Sequence, residues 1–359
     1  MEKRRFVVIG DLPVGQFNHI CDVPGVLVGH YSVHSNTHHT GVTAILPHEG
    51  NIFRDKVKAG SHIFNGFGKS IGMMQIEELG TIETPILLTN TLNVGKVSDS
   101  LITYMLQDNK EIGVTTGTIN PLVLECNDGR LNHIQERILS DEAVFAAINT
   151  AKKDTQQGSI GAGSGMICHG LKGGIGSSSR EIIFDSQKYH VGVLVNTNFG
   201  ASNSKSLLFK GRAIGEDIYN RNKTKNEDDK GSIIVVIATD IPLESRQLNR
   251  ISKRAALGIA RTGSFAGNGS GDIIVAFSTA NRSQHFSNSC IEKYEMLRDD
   301  SLEKVFKAVV FATEEAILNS MLHSPSTTGY LTTAKSINEY QMLYQDLLMN
   351  EGDSSNEKI

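Results

Sequence analysis

Cysteine is scarce in this chain. Its four copies, Cys21, Cys126, Cys168 and Cys290, stand apart with no C-x-x-C spacing, which excludes a disulfide-stapled scaffold and a thiolate zinc site. Long apolar runs are missing as well: no stretch approaches the roughly 18 residues of a membrane helix. The first residues are basic, but the apolar run before Gly10 and Asp11 is too short for a secretory leader, so the expected compartment is the cytoplasm. Nor is there an excess of positive charge. The 35 Lys and Arg against 39 Asp and Glu leave a net charge of −4, which argues against nucleic acid or an anionic membrane as partner.

Nucleotide loops are absent too. The glycine-rich segment 158–180 has no Gly-Lys-Ser/Thr at phosphate-loop distance, and Gly161-Ala162-Gly163 lacks the third glycine of a dinucleotide fingerprint. What remains is a backbone able to approach other groups closely and line a pocket with N–H donors, with Lys172 and Arg180 read as structural. His30, His34, His38 and His39 lie close together, but no carboxylate stands at ligand spacing. They read as solvated loop histidines, so neither a metal nor a cofactor is expected.

What is present suits a sheet-rich enzyme. A length of 359 residues with 39% hydrophobic content can bury a large core, and no domain boundary or repeat interrupts it. A single domain over 1–350 is expected, with a polar, disordered tail at 351–359. Short strands and turns fill the first third. Helical spacing appears over 69–79, from Ser140 to Ala151, through the basic stretch ending at Arg261, from about Asp300 to Leu322, and as an amphipathic stretch over 336–349. The charged run 220–230 reads as a mobile surface loop.

Five places could carry chemistry. Thr89, Asn90, Thr91 and Asn93 close the apolar strand 85–88, where α/β sheets hold ligands and where helix caps also sit; Ser98 or Asp99 are the candidate caps for a helix running toward Leu106. Glu125 follows three apolar residues at a strand end and can hold an ammonium group through a charge-assisted hydrogen bond, or be an ordinary turn acid. Asn198 ends the strand that begins at Val191; an amide there can donate to an oxyanion, with Asn196 on the same face as the alternative. Glu314 shares its helical face with Val310, Ile317 and Leu318, so it points into apolar surroundings and needs a partner.

The fifth place organises the rest. In Gly269-Ser270-Gly271-Asp272, running into the strand 273–277, a hydroxyl stands between two glycines. That is a good setting for a nucleophile and equally for a tight turn. The surrounding wording decides between them: Ala238-Thr-Asp-Ile-Pro242, Arg254 to Gly263, Phe277 to Asn281, and the segments Gly161 to Met166 and Lys172 to Arg180 resemble the self-processing L-aminopeptidase D-Ala-esterase/amidase family, which includes β-peptidyl aminopeptidases. The resemblance spans roughly residues 15–322.

That resemblance implies an α/β fold, a single-domain layered αββα sandwich of the N-terminal-nucleophile-like type. It implies cleavage between Gly269 and Ser270 into chains 1–269 and 270–359 that stay together as processed heterodimers and form homo-oligomers. Ser270 would then be nucleophile and new N-terminus, its α-amine, with an ordinary pKa near 8, serving as the base. The substrate would be a small peptide, amide or ester. Asn198 would hold the oxyanion, Glu125 the substrate amine, and Glu314, with Thr313 and Glu315 as neighbours, the nucleophile's amine. Two departures stand out. Cys126 and Asn127, beside Glu125 in the substrate site, replace a threonine and an aromatic residue, and Ala312 replaces a serine. Two rivals remain: an unprocessed homologue that binds a small ligand or partner, and an acyltransferase of the ornithine acetyltransferase type, against which the serine argues because that nucleophile is threonine.

Overall fold

The computed structural model describes residues 5–222 and 231–350. Ten strands build its two main sheets. Leu27–His34 (β1), His39–Leu46 (β2), Ile86–Asn90 (β5) and Leu122–Cys126 (β6) form a four-stranded sheet in the order β1-β2-β5-β6. Asp55–Gly66 (β3), Thr81–Ile82 (β4), Ile175–Phe184 (β7), Gln187–Asn198 (β8), Ser232–Thr239 (β9) and Gly271–Gln284 (β10) form a six-stranded sheet in the order β7-β8-β9-β10-β3-β4. Each sheet is antiparallel except for one parallel pair, β5 with β6 and β9 with β10.

Strand β9 shows why the layers stack. It is buried along its whole length: Ile233, Val235 and Ile237 face a helix layer, while Ile234, Val236 and Ala238 face the other sheet. Apolar residues at every position, alternating between faces, are what a strand covered on both sides requires. The helix layer is Ser245–Arg261 (α5) and Leu302–Leu322 (α6). Val94–Asp108 (α2) and Asp141–Asn149 (α3) cover the outer side of the four-stranded sheet. The result is the αββα sandwich.

Several local expectations are corrected. Only Met73–Leu79 of the stretch 69–79 is helical (α1). Gly72 sits at φ +96°, and a Cβ there would stand 2.5 Å from the Pro121 carbonyl oxygen, so the chain before it stays extended and Ile71 bridges to Val123. The C-terminal stretch forms 3-10 turns at Ile337–Leu343 and Gln345–Leu347 instead of an α-helix. Its buried residues Ile337 and Tyr340 are three apart, the 3-10 period, and Tyr344 stacks on Phe209 at 4.4 Å. Met349–Asn350 then pairs with Arg5–Phe6. Asn220, Arg221 and Asn222 end the helix Gly215–Asn222 (α4); 223–230 and the tail 351–359 lie outside the described residues. Ser98 and Asp99 sit inside α2, whose N-cap is Asn93; Asn90 caps the 3-10 turn Thr91–Asn93 that leads into it, its Oδ1 accepting from the Asn93 N–H at 3.1 Å.

Both cations read as structural are buried. Lys172 donates to the carbonyls of Gly163, Met166 and Gly173 at 3.1, 3.1 and 2.7 Å. Arg180 pairs with Glu315 at 2.6 Å, and the same carboxylate accepts from the Ile9 N–H at 2.7 Å. The histidines read as loop residues lie on or beside the β1–β2 hairpin; His30 is bonded to Thr43 at 2.9 Å and His39 is buried.

Candidate active site

The parallel start of β9 and β10 creates the site. Asn198, the last residue of β8, pairs with Ser232, Ser232 with Gly271, and Gly271 with Gly66. These four residues therefore form a row across one end of the six-stranded sheet, with strands roughly 4.8 Å apart. Ser270 stands beside that row, next to Gly271 and one residue before β10, and is 1% exposed. Its hydroxyl donates to Asp272 Oδ1 at 2.5 Å. A serine and an acid two apart on extended backbone share a face, and that spacing was the signal for Asp272, a residue to which the sequence reading gave no role.

The loop before Ser270 is held as a tight turn. Ser270 N–H donates to the Gly267 carbonyl at 2.8 Å, and Asn65 Nδ2 donates to the same carbonyl at 2.7 Å. Ala266 adopts φ +53°, a left-handed conformation that costs a non-glycine residue about 1 kcal/mol or more. The strain lies four residues before Ser270.

Glu125 reaches the same place from the other sheet. The extended segment 67–69 links the two: Phe67 N–H donates to the Ser270 carbonyl at 3.3 Å, and Lys69 N–H donates to Glu125 Oε1 at 2.9 Å. The hydroxyl of Thr91 donates to Glu125 Oε2. Glu125 is 2% exposed, yet among the described residues no cation pairs with it; the Lys69 ammonium lies over the Phe67 ring instead, 4.0 Å from its centroid. A buried carboxylate held only by neutral donors is well placed to receive a cationic group. Next to it, the Cys126 thiol donates to the carbonyls of Asn196 and Ser232, both at 3.5 Å, and so joins the ends of the two sheets. Burial first, then Glu125 and Asp272, hold that thiol well above its ordinary pKa, which keeps it protonated and unreactive.

Asn198 is fixed at both ends of its amide. Its Oδ1 accepts from the Ile167 N–H at 3.0 Å, and its Nδ2 donates to the Asn127 carbonyl at 2.9 Å, which leaves one amide hydrogen available. Asn127 serves the site through that carbonyl; its side chain accepts from the Gly129 N–H at 2.9 Å and shapes the turn. Asn198, Asn127 and Gly231 line a cleft of about 780 Å³. Gly231 connects it to the nucleophile loop, since its carbonyl accepts from the Gly271 N–H at 3.2 Å. Asn196 is fully buried and faces the inter-sheet layer beside Leu194, its amide without a hydrogen-bond partner among the described residues.

Glu314 lies apart from this group. Its carboxylate is bound by Arg261, not by Ser270. Arg261 ends α5, and the chain runs from there to Ser270, so Glu314 anchors the base of the nucleophile loop. Burial raises its pKa, opposed by Arg261, and its Oε1 has no hydrogen-bond partner among the described residues. Of the sequence-predicted residues the structure thus brings together Ser270, Gly269, Glu125, Asn198 and the Asn127 backbone, and holds Glu314 behind them.

The two facing sheets between helix layers, with a serine at a strand start, define an N-terminal-nucleophile type of hydrolase. The comparisons agree. The model of Peptidase family S58 matches residues 18–334. The β-peptidyl aminopeptidase BapA of Sphingosinicella microcystinivorans is 38% identical over 338 residues, 88% of this chain and 84% of that one. Its counterpart in Sphingosinicella xenopeptidilytica is 37% identical over 337 residues, 88% and 83% of the two chains. Among solved structures, a Pyrococcus horikoshii OT3 protein superposes with a TM-score of 0.88 at 46% identity, covering 94% of this chain and 96% of that one. The L-aminopeptidase D-Ala-esterase/amidase of Ochrobactrum anthropi, described as a prototype of the serine aminopeptidases, gives 0.86 at 32% identity, with 94% and 96% covered. The chain belongs to peptidase family S58. Its activity is that of a serine aminopeptidase or amidase, and the reading as a non-catalytic homologue is not favoured.

Proposed function

We propose that this chain cuts itself between Gly269 and Ser270 and then uses Ser270 to release N-terminal residues from short peptides, amides or esters, β-peptides among them. One observation carries the reading: in the intact chain the buried Ser270 hydroxyl already donates to a carboxylate, Asp272, at 2.5 Å. Before cleavage the Ser270 nitrogen is an amide and cannot act as base. Asp272 takes the hydroxyl proton, Oγ attacks the Gly269 carbonyl carbon, and the carbon–nitrogen bond breaks as its nitrogen gains a proton. Water then hydrolyses the resulting ester, leaving a carboxylate on Gly269 and a free amine on Ser270. Glycine at 269 offers the attacking oxygen the least obstruction.

In the processed enzyme the new α-amine, with a pKa near 8 in the absence of perturbation, takes over as base. Ser270 attacks the carbonyl of the substrate's first residue, and the remaining Asn198 amide hydrogen donates to the oxyanion. The leaving amine takes a proton and departs, and water resolves the acyl-enzyme. Glu125 binds the substrate ammonium, supported by its burial and the lack of a cationic partner among the described residues. The cleft of about 780 Å³ is the right size for a small ligand. The exposed apolar side chains of Ile63, Phe64, Phe67, Met74 and Phe265 support assembly into homo-oligomers. No disulfide joins the four cysteines, which suits a reducing cytoplasm, and no helix among the described residues is long and apolar enough to cross a membrane.

The test is hydrolysis of aminoacyl p-nitroanilides with a free amine beside their N-acetylated counterparts. Release from the free-amine series only, abolished in Ser270→Ala, is the expected result. Equal hydrolysis of both series, or activity that survives in Ser270→Ala, would refute the proposal.

A further inference from the structure

We propose that His38, His133 and Glu136 form a binding site for a divalent transition-metal ion of the zinc kind. The carboxylate missing near the four histidines in sequence is supplied by the fold. The turn joining β1 to β2 and the segment that follows β6 meet through the His133 N–H, which donates to the Thr37 carbonyl at 2.8 Å. Glu136 then faces both rings: one oxygen lies 2.9 Å from His38 Nε2, the other 2.7 Å from His133 Nδ1. One ligand atom from each of the three residues lies within 4.8 Å of the others.

The donor set selects the ion. Two imidazole nitrogens and a carboxylate suit zinc and its first-row neighbours, whereas magnesium and calcium prefer oxygen throughout. Tetrahedral bonds of 2.0 to 2.1 Å place neighbouring ligand atoms roughly 3.3 Å apart, so each of these two close contacts opens by about half an ångström to admit the ion. Both rings are already oriented. His38 Nδ1 stands 3.0 Å from Thr37 Oγ1, the outer partner a ligating histidine uses, and the His133 ring stacks on Tyr330 with centroids 4.3 Å apart. Glu136, with 48% of its side chain exposed, leaves solvent access for a fourth ligand.

The site ties together pieces of the cleft wall. Gly129, Arg130 and Ile134 line the cleft from the segment that carries His133, and Thr332 and Thr333 line it from the hairpin that carries Tyr330. A bound ion fixes these to the β1–β2 turn, away from the nucleophile, so its role is to stiffen the wall and take no part in the chemistry.

The test is a titration of the purified, metal-stripped protein with Zn²⁺ by calorimetry and with Co²⁺ by visible absorption. One equivalent per chain is expected, with affinity weakening in acid because metal binding must displace protons from its ligands. Losing an outer partner typically weakens a metal site 10- to 100-fold, so His133→Ala and the near-isosteric Glu136→Gln should each weaken binding at least tenfold. His34→Gln should leave it unchanged. Zn²⁺ should raise the melting temperature of the wild type and not that of His133→Ala. Absence of binding, or binding that survives in both His133→Ala and Glu136→Gln, would overturn the site, whatever the outcome of the peptidase assays.

Discussion

Asp272, Glu125 and Asn198 each carry a separable share of the proposed chemistry. If Asp272 is the base for self-cleavage, Asp272→Asn slows the appearance of the two fragments by roughly 10²- to 10⁴-fold, the usual worth of a general base, as gel time courses of freshly made protein would show. Glu125→Gln keeps the shape and removes the charge. Losing a hydrogen bond between charged groups costs about 1.5 to 3 kcal/mol, so kcat/KM for free-amine substrates should fall roughly 10- to 100-fold, mainly through KM. Removing the Asn198 donor with Asn198→Ala should cost about 3 to 4 kcal/mol of transition-state stabilisation, seen in kcat. Glu125 and Asn198 were in view in the sequence as polar residues closing apolar runs, and Ser270 as a hydroxyl between two glycines ahead of one. Asp272 was in view but without a role. Thr91 was in view only as a strand-end ligand contact or cap, and the 67–69 backbone not at all: Thr91 meets Glu125 through the pairing of β5 with β6, and 67–69 reaches both Glu125 and Ser270 through how the two sheets face each other.

Element by element, periodicity located α3, α5 and α6 to within a few residues, and it failed where tertiary contacts override it. Residues 69–71 carry helical spacing, yet they stay extended because their backbone is committed to Glu125 and Val123. The C-terminal stretch has enough apolar residues for an amphipathic helix, but its buried pair is three apart and it winds as 3-10 turns. Helix α6 shows two adjacent acids doing different work: Glu315 is locked to Arg180, Ile9 and Asn18, and Glu314 to Arg261. Breaking one side of a fully buried ion pair costs about 3 to 5 kcal/mol. Arg180→Met should therefore lower the denaturation midpoint far more than Arg261→Met, because Arg180 and Glu315 are both fully buried whereas Arg261 is 48% exposed. Similar losses in the two variants would contradict this division of roles.

For the whole molecule, burial of histidines sets the response to acid. Burial holds His19 down at about 3, and His30 and His169 at about 4. Their unfolded pKa is near 6.5, so between pH 6.5 and 4 the unfolded chain binds protons that the folded chain refuses, and stability falls as pH falls. Asp128 opposes this: burial raises it to about 7, so its protonation favours the fold over the same range. Three histidines outweigh one carboxyl, and the melting temperature should drop steadily from pH 7 to pH 5; a flat or rising profile would contradict the account. The two-sheet, four-layer stacking belongs to this scale as well. Alternating apolar strands indicated an α/β protein, but the order of layers came only from the family resemblance, because strand pairing across more than a hundred residues leaves no local pattern.

The most direct test of the central claim is intact mass and N-terminal sequencing of the purified protein beside Ser270→Ala. The account predicts that the wild type splits into 1–269 and 270–359, with Ser-Gly-Asp as the new N-terminus, and that the variant stays whole. A folded wild type that remains a single chain, or a Ser270→Ala variant cut at the same bond, would contradict it.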